Sequence, residues 1–145
     1  MDRLSQKTLP IAALQPSVDP VNNAVRGIIT LVWPYSASKQ TTSILLAEPD
    51  FRLRKHKGQV RVEFHGSSAK SVARSGLTSG DEVVLRLSGV KWVENTVSRQ
   101  TPGRSVDWEL HFGQKVDLQV KIRRHVLELH SLTLVRSYGL KNRHC

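Results

Sequence analysis

Cysteine is almost missing from this chain of 145 residues: one occurs, Cys145, at the last position. That excludes an internal disulfide framework and a cysteine-rich zinc site. Long apolar runs are missing as well. No stretch approaches the roughly 20 apolar residues that cross a bilayer as a helix, and the opening "MDRLSQKTLP" has no signal-peptide apolar segment. A nuclear or cytosolic protein with no membrane partner is therefore expected. Acids are scarce: 12 Asp and Glu stand against 22 Lys and Arg, a formal charge of +10 and an isoelectric point near 10.4. A globular domain this basic usually meets a polyanion.

Signatures of catalysis are also lacking. "SGLTSGDE" has glycines but not the lysine that ends a phosphate loop, so it reads as a turn. No serine occupies a nucleophile elbow and no carboxylate pair is marked for acid/base work. His125 and His130 lack a metal-binding spacing, and the 6 histidines are scattered. Neither an enzyme nor a metal or other cofactor is expected.

What is present is an ordinary globular mix, 39% hydrophobic and 23% charged, in a length suited to one domain. Three of the 6 prolines fall in residues 1–23, which read as an extended arm. "AVRGIITLVWP" is rich in β-branched residues and reads as a strand stopping at Pro34; "TTSILLAEP" reads as a second. "QVRVEFH" alternates Val60, Val62 and Phe64 against Arg61, Glu63 and His65, a third strand with one wet face. "GSSAKSVARSG" switches to helical spacing, with Ser67 or Ser68 as cap and Gly76 as stop. "SGDEVVLRLSGVKWVE" gives a fourth strand and "VDWELHF" a fifth, with "VDLQVKI" as its hairpin extension. "HVLELHSLTLV" fits helix and strand equally.

The expected fold class is thus all-β with one short helix between strands three and four. That order matches a five-stranded Greek-key barrel of the oligonucleotide/oligosaccharide-binding (OB) type; another small barrel also accommodates it. The OB domain is expected to span residues 24–123, followed by a basic C-terminal segment, 124–145. Residues 121–145 carry six cations and one acid, about half the charge excess.

The remaining excess concentrates in one place. Arg52, Arg54, Lys55, Lys57 and Arg61 follow one another with no acid between them, in the loop joining strands two and three. In an OB barrel ligands lie across those two strands, flanked by the loops after strands one and four. Phosphate contact and a solvated loop without a partner are the two readings of this cluster. Arg61 has a further alternative, a pair with Glu63 on the wet face. Arg99 and Arg104 fall in the long loop between strands four and five. Single-stranded nucleic acid also needs flat platforms. Trp33 and Tyr35 flank Pro34 where strand one enters its loop, and Trp92 leads into the long loop; each is a candidate stacker or a core residue. Phe51 is a stacker or a rim cover, and Trp108 shares parity with Val106, Leu110 and Phe112, hence core.

Three stretches, "VRGIITLVWPYS", "LLAEPDFRLRKHKGQVRVEFHGSSAKSVARSGLTSGDEVVL" and "TPGRSVDWELHF", together resemble the fungal branch of the telomere end-binding, protection-of-telomeres type of OB domain. The likeness runs from Ala24 to Phe112 and does not reach the tail. It implies an OB fold, a G-rich single strand of telomeric DNA as ligand, no cofactor, no catalysis and a place at chromosome ends in the nucleus. Position by position it points to Trp33, Lys39, Phe64 and Trp92. Phe64 is in conflict: alternation sends it to the core, the resemblance sets it against a base. The alternatives are an OB module that docks another telomere protein, and an RNA-binding OB domain.

Overall fold

The computed structural model describes residues 7–95, 104–121 and 131–133. Among the described residues, nine strands form one sheet and one α-helix packs on it: β1 (Lys7–Leu9), β2 (Asn23–Ser36), β3 (Thr41–Ala47), β4 (Gln59–His65), α1 (Gly66–Arg74), β5 (Glu82–Arg86), β6 (Lys91–Glu94), β7 (Trp108–Phe112), β8 (Leu118–Lys121) and β9 (Ser131–Thr133). The expectation of a mostly β chain with one short helix holds. The hydrogen-bonded order is β6-β7-β4-β3-β2-β5-β8-β9, with β1 beside β2, so among the described residues the sheet does not close on itself.

The long β2 organises the rest. Its first half pairs parallel with β1 and antiparallel with β5, and its second half pairs antiparallel with β3. Register shifts fall between Ile29 and Leu31 and between Trp33 and Ser36; such bulges bend a strand so that it can change partners. Pro34 does not end β2, as the sequence suggests, because this irregular stretch makes few ladder bonds that a missing N–H would break. β3 and β4 form a regular hairpin from Thr41↔His65 to Ala47↔Gln59. β4 then takes β7 as a parallel neighbour, with Glu63 opposite His111.

Alternation along β4 places Val60, Val62 and Phe64 in the core with no exposed surface. Phe64 stacks on Phe112, ring centres 6.1 Å apart. Residues of β2, β3, β5 and β7 complete this core, and α1 covers it with Ala69 and Val72. The helix stops where Gly76 takes a φ of +78°, the left-handed conformation glycine permits. Its start is not capped by serine: the Ser68 hydroxyl donates back to the His65 carbonyl at 3.0 Å instead.

Several boundaries differ from the sequence reading. Within the stretch read as an extended arm, a 3-10 turn at Ile11–Ala13 buries Ile11 and, beyond it, Leu14 in the core. The buried Glu48 carboxylate accepts from the Ile11 N–H at 2.6 Å and ties that turn down. The fourth strand is two strands, β5 and β6, divided by a turn at Gly89 with φ of +86°. "VDLQVKI" does not extend the fifth strand: β7 has β4 on one edge and β6 on the other, so β8 pairs with β5. Within the ambiguous late segment, Ser131–Thr133 is a strand beside β8.

Candidate nucleic-acid interface

The outward positions of the β3–β4 hairpin and its neighbours form two cross-strand rows. One runs Trp33, Ser43, Glu63, His111, Lys91; the other holds Leu31, Leu45 and Arg61, with Glu109 and Val93 alongside. Trp33 belongs to this outer face because the register shift after Ile29 sets it opposite Ser43. The Thr42 hydroxyl donates to the Trp33 carbonyl at 2.7 Å and fixes the end of β2. The Arg61 guanidinium lies 4.4 Å from the Trp33 ring centre, donates to the Ser43 hydroxyl at 3.3 Å and pairs with Glu63 at 3.6 Å. Its Nε is buried and without a hydrogen-bond partner.

The basic loop closes one end of the hairpin. Asp50 starts a 3-10 turn, Phe51–Leu53, by accepting from the Arg52 N–H at 3.0 Å. The hydrogen bond from the Arg52 side chain holds the Asp50 carboxyl below its usual range and raises the guanidinium in turn. Arg54 donates from Nε to the Glu48 carbonyl at 2.6 Å and lies over the Phe51 ring at 4.5 Å. Lys57 pairs with Asp107 at 3.4 Å. Lys55 is exposed and pairs with no acid among the described residues. Of the four cations in this loop, then, two have acidic partners: Arg52 has the neighbouring Asp50, and Lys57 has Asp107, 50 residues away in sequence. Exposed pairs of this kind contribute little to stability and leave the cations able to turn to a phosphate.

Arg104 is exposed and comes to the same end of the hairpin, because its neighbour Ser105 bridges to Gln59 at the start of β4. Lys39 is exposed at the other end, in the turn from β2 to β3. Arg99 lies outside the described residues. The hairpin face thus has cations at both ends and the Trp33–Arg61 stack between them.

The other rings do not join that face. Tyr35 and Trp92 are half-buried and pack against the core, and Trp92 sits opposite the buried Leu110. Phe64, which the resemblance sets against a base, is fully buried; alternation along β4 decides its direction. Trp108 is half-buried at the start of β7, and Phe51 is 68% exposed beside Arg54.

Sequence reasoning missed a polar cluster on the same face. His65 Nε2 and His111 Nδ1 are 3.1 Å apart, Glu63 Oε2 is 3.3 Å from His65 Nε2, and Glu109 Oε1 is 3.0 Å from His111 Nε2. Each residue reads as an outward position on its own strand; only the parallel pairing of β4 with β7 brings residues 46 apart together.

The family model described as "Domain of unknown function (DUF8502)" matches residues 5–128, from before β1 to past β8. No curated protein matches the chain.

Proposed function

The chain belongs to the DUF8502 family, whose description carries no activity, and from the site alone we propose that it binds single-stranded nucleic acid across the outer face of the β3–β4 hairpin. The path β7-β4-β3-β2-β5, with β4 and β7 parallel and α1 between β4 and β5, supports reading this open sheet as OB-like, and in an OB domain that face is the binding face. The observation that carries the reading is the outward Trp33 ring with the Arg61 guanidinium upon it, set between cations at both ends. Flat rings and guanidinium planes stack on bases without sequence preference, and a basic groove tracks the backbone. The four cations of the basic loop and Lys39 supply the backbone contacts, with Arg104 beside them. The sequence resemblance narrows the ligand to a G-rich telomeric DNA strand and the role to binding at chromosome ends in the nucleus, without catalysis.

A fluorescence-anisotropy titration tests this, using a labelled G-rich DNA oligonucleotide of about a dozen nucleotides, a scrambled one and an RNA of the same sequence, each at two salt concentrations. Log affinity should fall with log salt at about 0.7 per phosphate neutralised, roughly −3 for four contacts. Absence of binding at low salt rejects the proposal; equal affinity for the scrambled strand rejects its telomeric part. Tighter binding of the RNA replaces DNA by RNA as ligand.

A second reading is a docking face for a protein partner. Leu31, 48% exposed, and Val93, 38% exposed, stand at the two edges of the face, apolar anchors of the kind a peptide groove uses. Charge reversal at Arg52 and Lys55 separates the two, since it weakens nucleic-acid binding and flattens its salt dependence while leaving apolar docking nearly intact.

A further inference from the structure

We propose that Glu63, His65 and His111 form a binding site for a zinc-like divalent transition metal ion on the outer face, with Glu109 orienting His111 from behind. Their ligand atoms all lie within 4.8 Å of one another. The inference stands on ligand geometry and is independent of the nucleic-acid reading.

The donor set is the first argument. Two imidazole nitrogens and a carboxylate oxygen suit zinc and its first-row neighbours, whereas calcium and magnesium take oxygen shells. The spacing is the second. Zinc bonds of about 2.0–2.1 Å at a tetrahedral angle separate the ligand atoms by roughly 3.3 Å; the observed separations are 3.1 Å between His65 Nε2 and His111 Nδ1 and 3.3 Å between His65 Nε2 and Glu63 Oε2. Three ligands leave one tetrahedral position for water or another donor.

The third argument is the second contact of His111. Its Nε2 lies 3.0 Å from Glu109 Oε1, so a neutral ring donating there turns the Nδ1 lone pair toward His65. Carboxylate–histidine pairs of this kind fix the tautomer and ring angle of metal ligands. With that tautomer, the lone pairs of His111 Nδ1 and Glu63 Oε2 converge on His65 Nε2. Only one shared proton, or a cation in its place, relieves the crowding. Arg61 does not block the site, since it pairs with the other oxygen of Glu63, Oε1, at 3.6 Å. The His65 side chain is 42% exposed, so an ion can enter from solvent.

The test titrates chelator-stripped full chain with Co(II), reading the visible absorption of the bound ion, then displaces it with Zn(II). The wild type should bind one Co(II) that zinc displaces and excess Mg(II) does not. His65→Ala and His111→Ala should each lose that absorption, while His56→Ala, in the exposed basic loop, keeps it. Glu109→Gln should weaken binding about 10- to 100-fold. Circular dichroism checks each variant; if His111→Ala fails to fold, His65→Ala and Glu109→Gln decide. No absorption at any Co(II) concentration, or wild-type binding by His65→Ala, overturns the site, the latter by placing the ion elsewhere on the chain.

Discussion

The guanidinium of Arg61 on β4 lies 4.4 Å from the ring centre of Trp33 on β2. The contact joins two strands that are not neighbours, passing over Ser43 of β3, with Trp33 half-buried beneath the guanidinium. Trp33 contributes little to the core, so Trp33→Ala should leave the denaturation midpoint nearly unchanged. Affinity for the single strand should fall by about 1–3 kcal/mol, roughly 5- to 150-fold. Anisotropy titration beside a thermal melt checks both halves, and undiminished affinity would remove Trp33 from the interface.

Phe64 predicts the opposite pattern. It has no exposed surface and stacks on Phe112, so Phe64→Ala should cost about 3–5 kcal/mol of stability through lost burial and the cavity left behind. Phe64→Leu should cost less. Urea unfolding gives the stabilities. Below the variant's unfolding transition its nucleic-acid affinity should match the wild type, as a base-stacking role would not allow.

The basic loop should act mainly through charge. Arg52 is engaged by Asp50 at 3.3 Å and Lys55 by no acid among the described residues; both side chains are exposed. Reversing both to Glu should therefore leave the fold intact and flatten the salt dependence of binding from roughly −3 to about −1.5. Lowering the pH below the depressed range of Asp50 protonates that carboxyl, releases Arg52 and removes the stabilisation its ion pair gives above that range. The mutant Asp50→Asn should show no such acid-dependent change in the loop, read by the chemical shift of the Arg52 Nε–H.

The legible parts of the sequence were those whose signal is local. Alternation in "QVRVEFH" fixed the strand, its buried Phe64 and its wet Arg61, Glu63 and His65, and Gly76 fixed the helix end. What escaped was set by partners distant in sequence. The bulges that turn Trp33 outward depend on β3, and the fate of "VDLQVKI" depends on which edges were already taken. The burial of Ile11 depends on Glu48. The acid that pairs with Lys57 is Asp107, 50 residues away, and the His65–His111 cluster exists only because β4 and β7 run parallel. The direction of Tyr35 and Trp92 was open for the same reason: a ring near a strand end takes its side from the register, which the residues themselves do not state.

Gly58, at the close of the basic loop, gives the sharpest test of how that loop is held. It is buried, and a Cβ placed on it would lie 2.4 Å from the Leu53 carbonyl oxygen and 2.5 Å from the Arg54 Cα. Both are backbone atoms, so nothing can swing aside; the loop must open or shift. Gly58 also accepts the Glu48 N–H at 2.9 Å, the contact that joins the ends of β3 and β4. Gly58→Ala should therefore cost about 1–3 kcal/mol by overpacking and displace Arg54 from the Glu48 carbonyl. Gly76→Ala is the control: its Cβ would meet open space, and only the φ of +78° opposes it, at a cost on the order of 1 kcal/mol. Urea unfolding ranks the two. Because the loop carries Arg52 to Lys57, Gly58→Ala should also weaken single-strand binding at low salt, while Gly76→Ala, beyond the helix, should leave it unchanged.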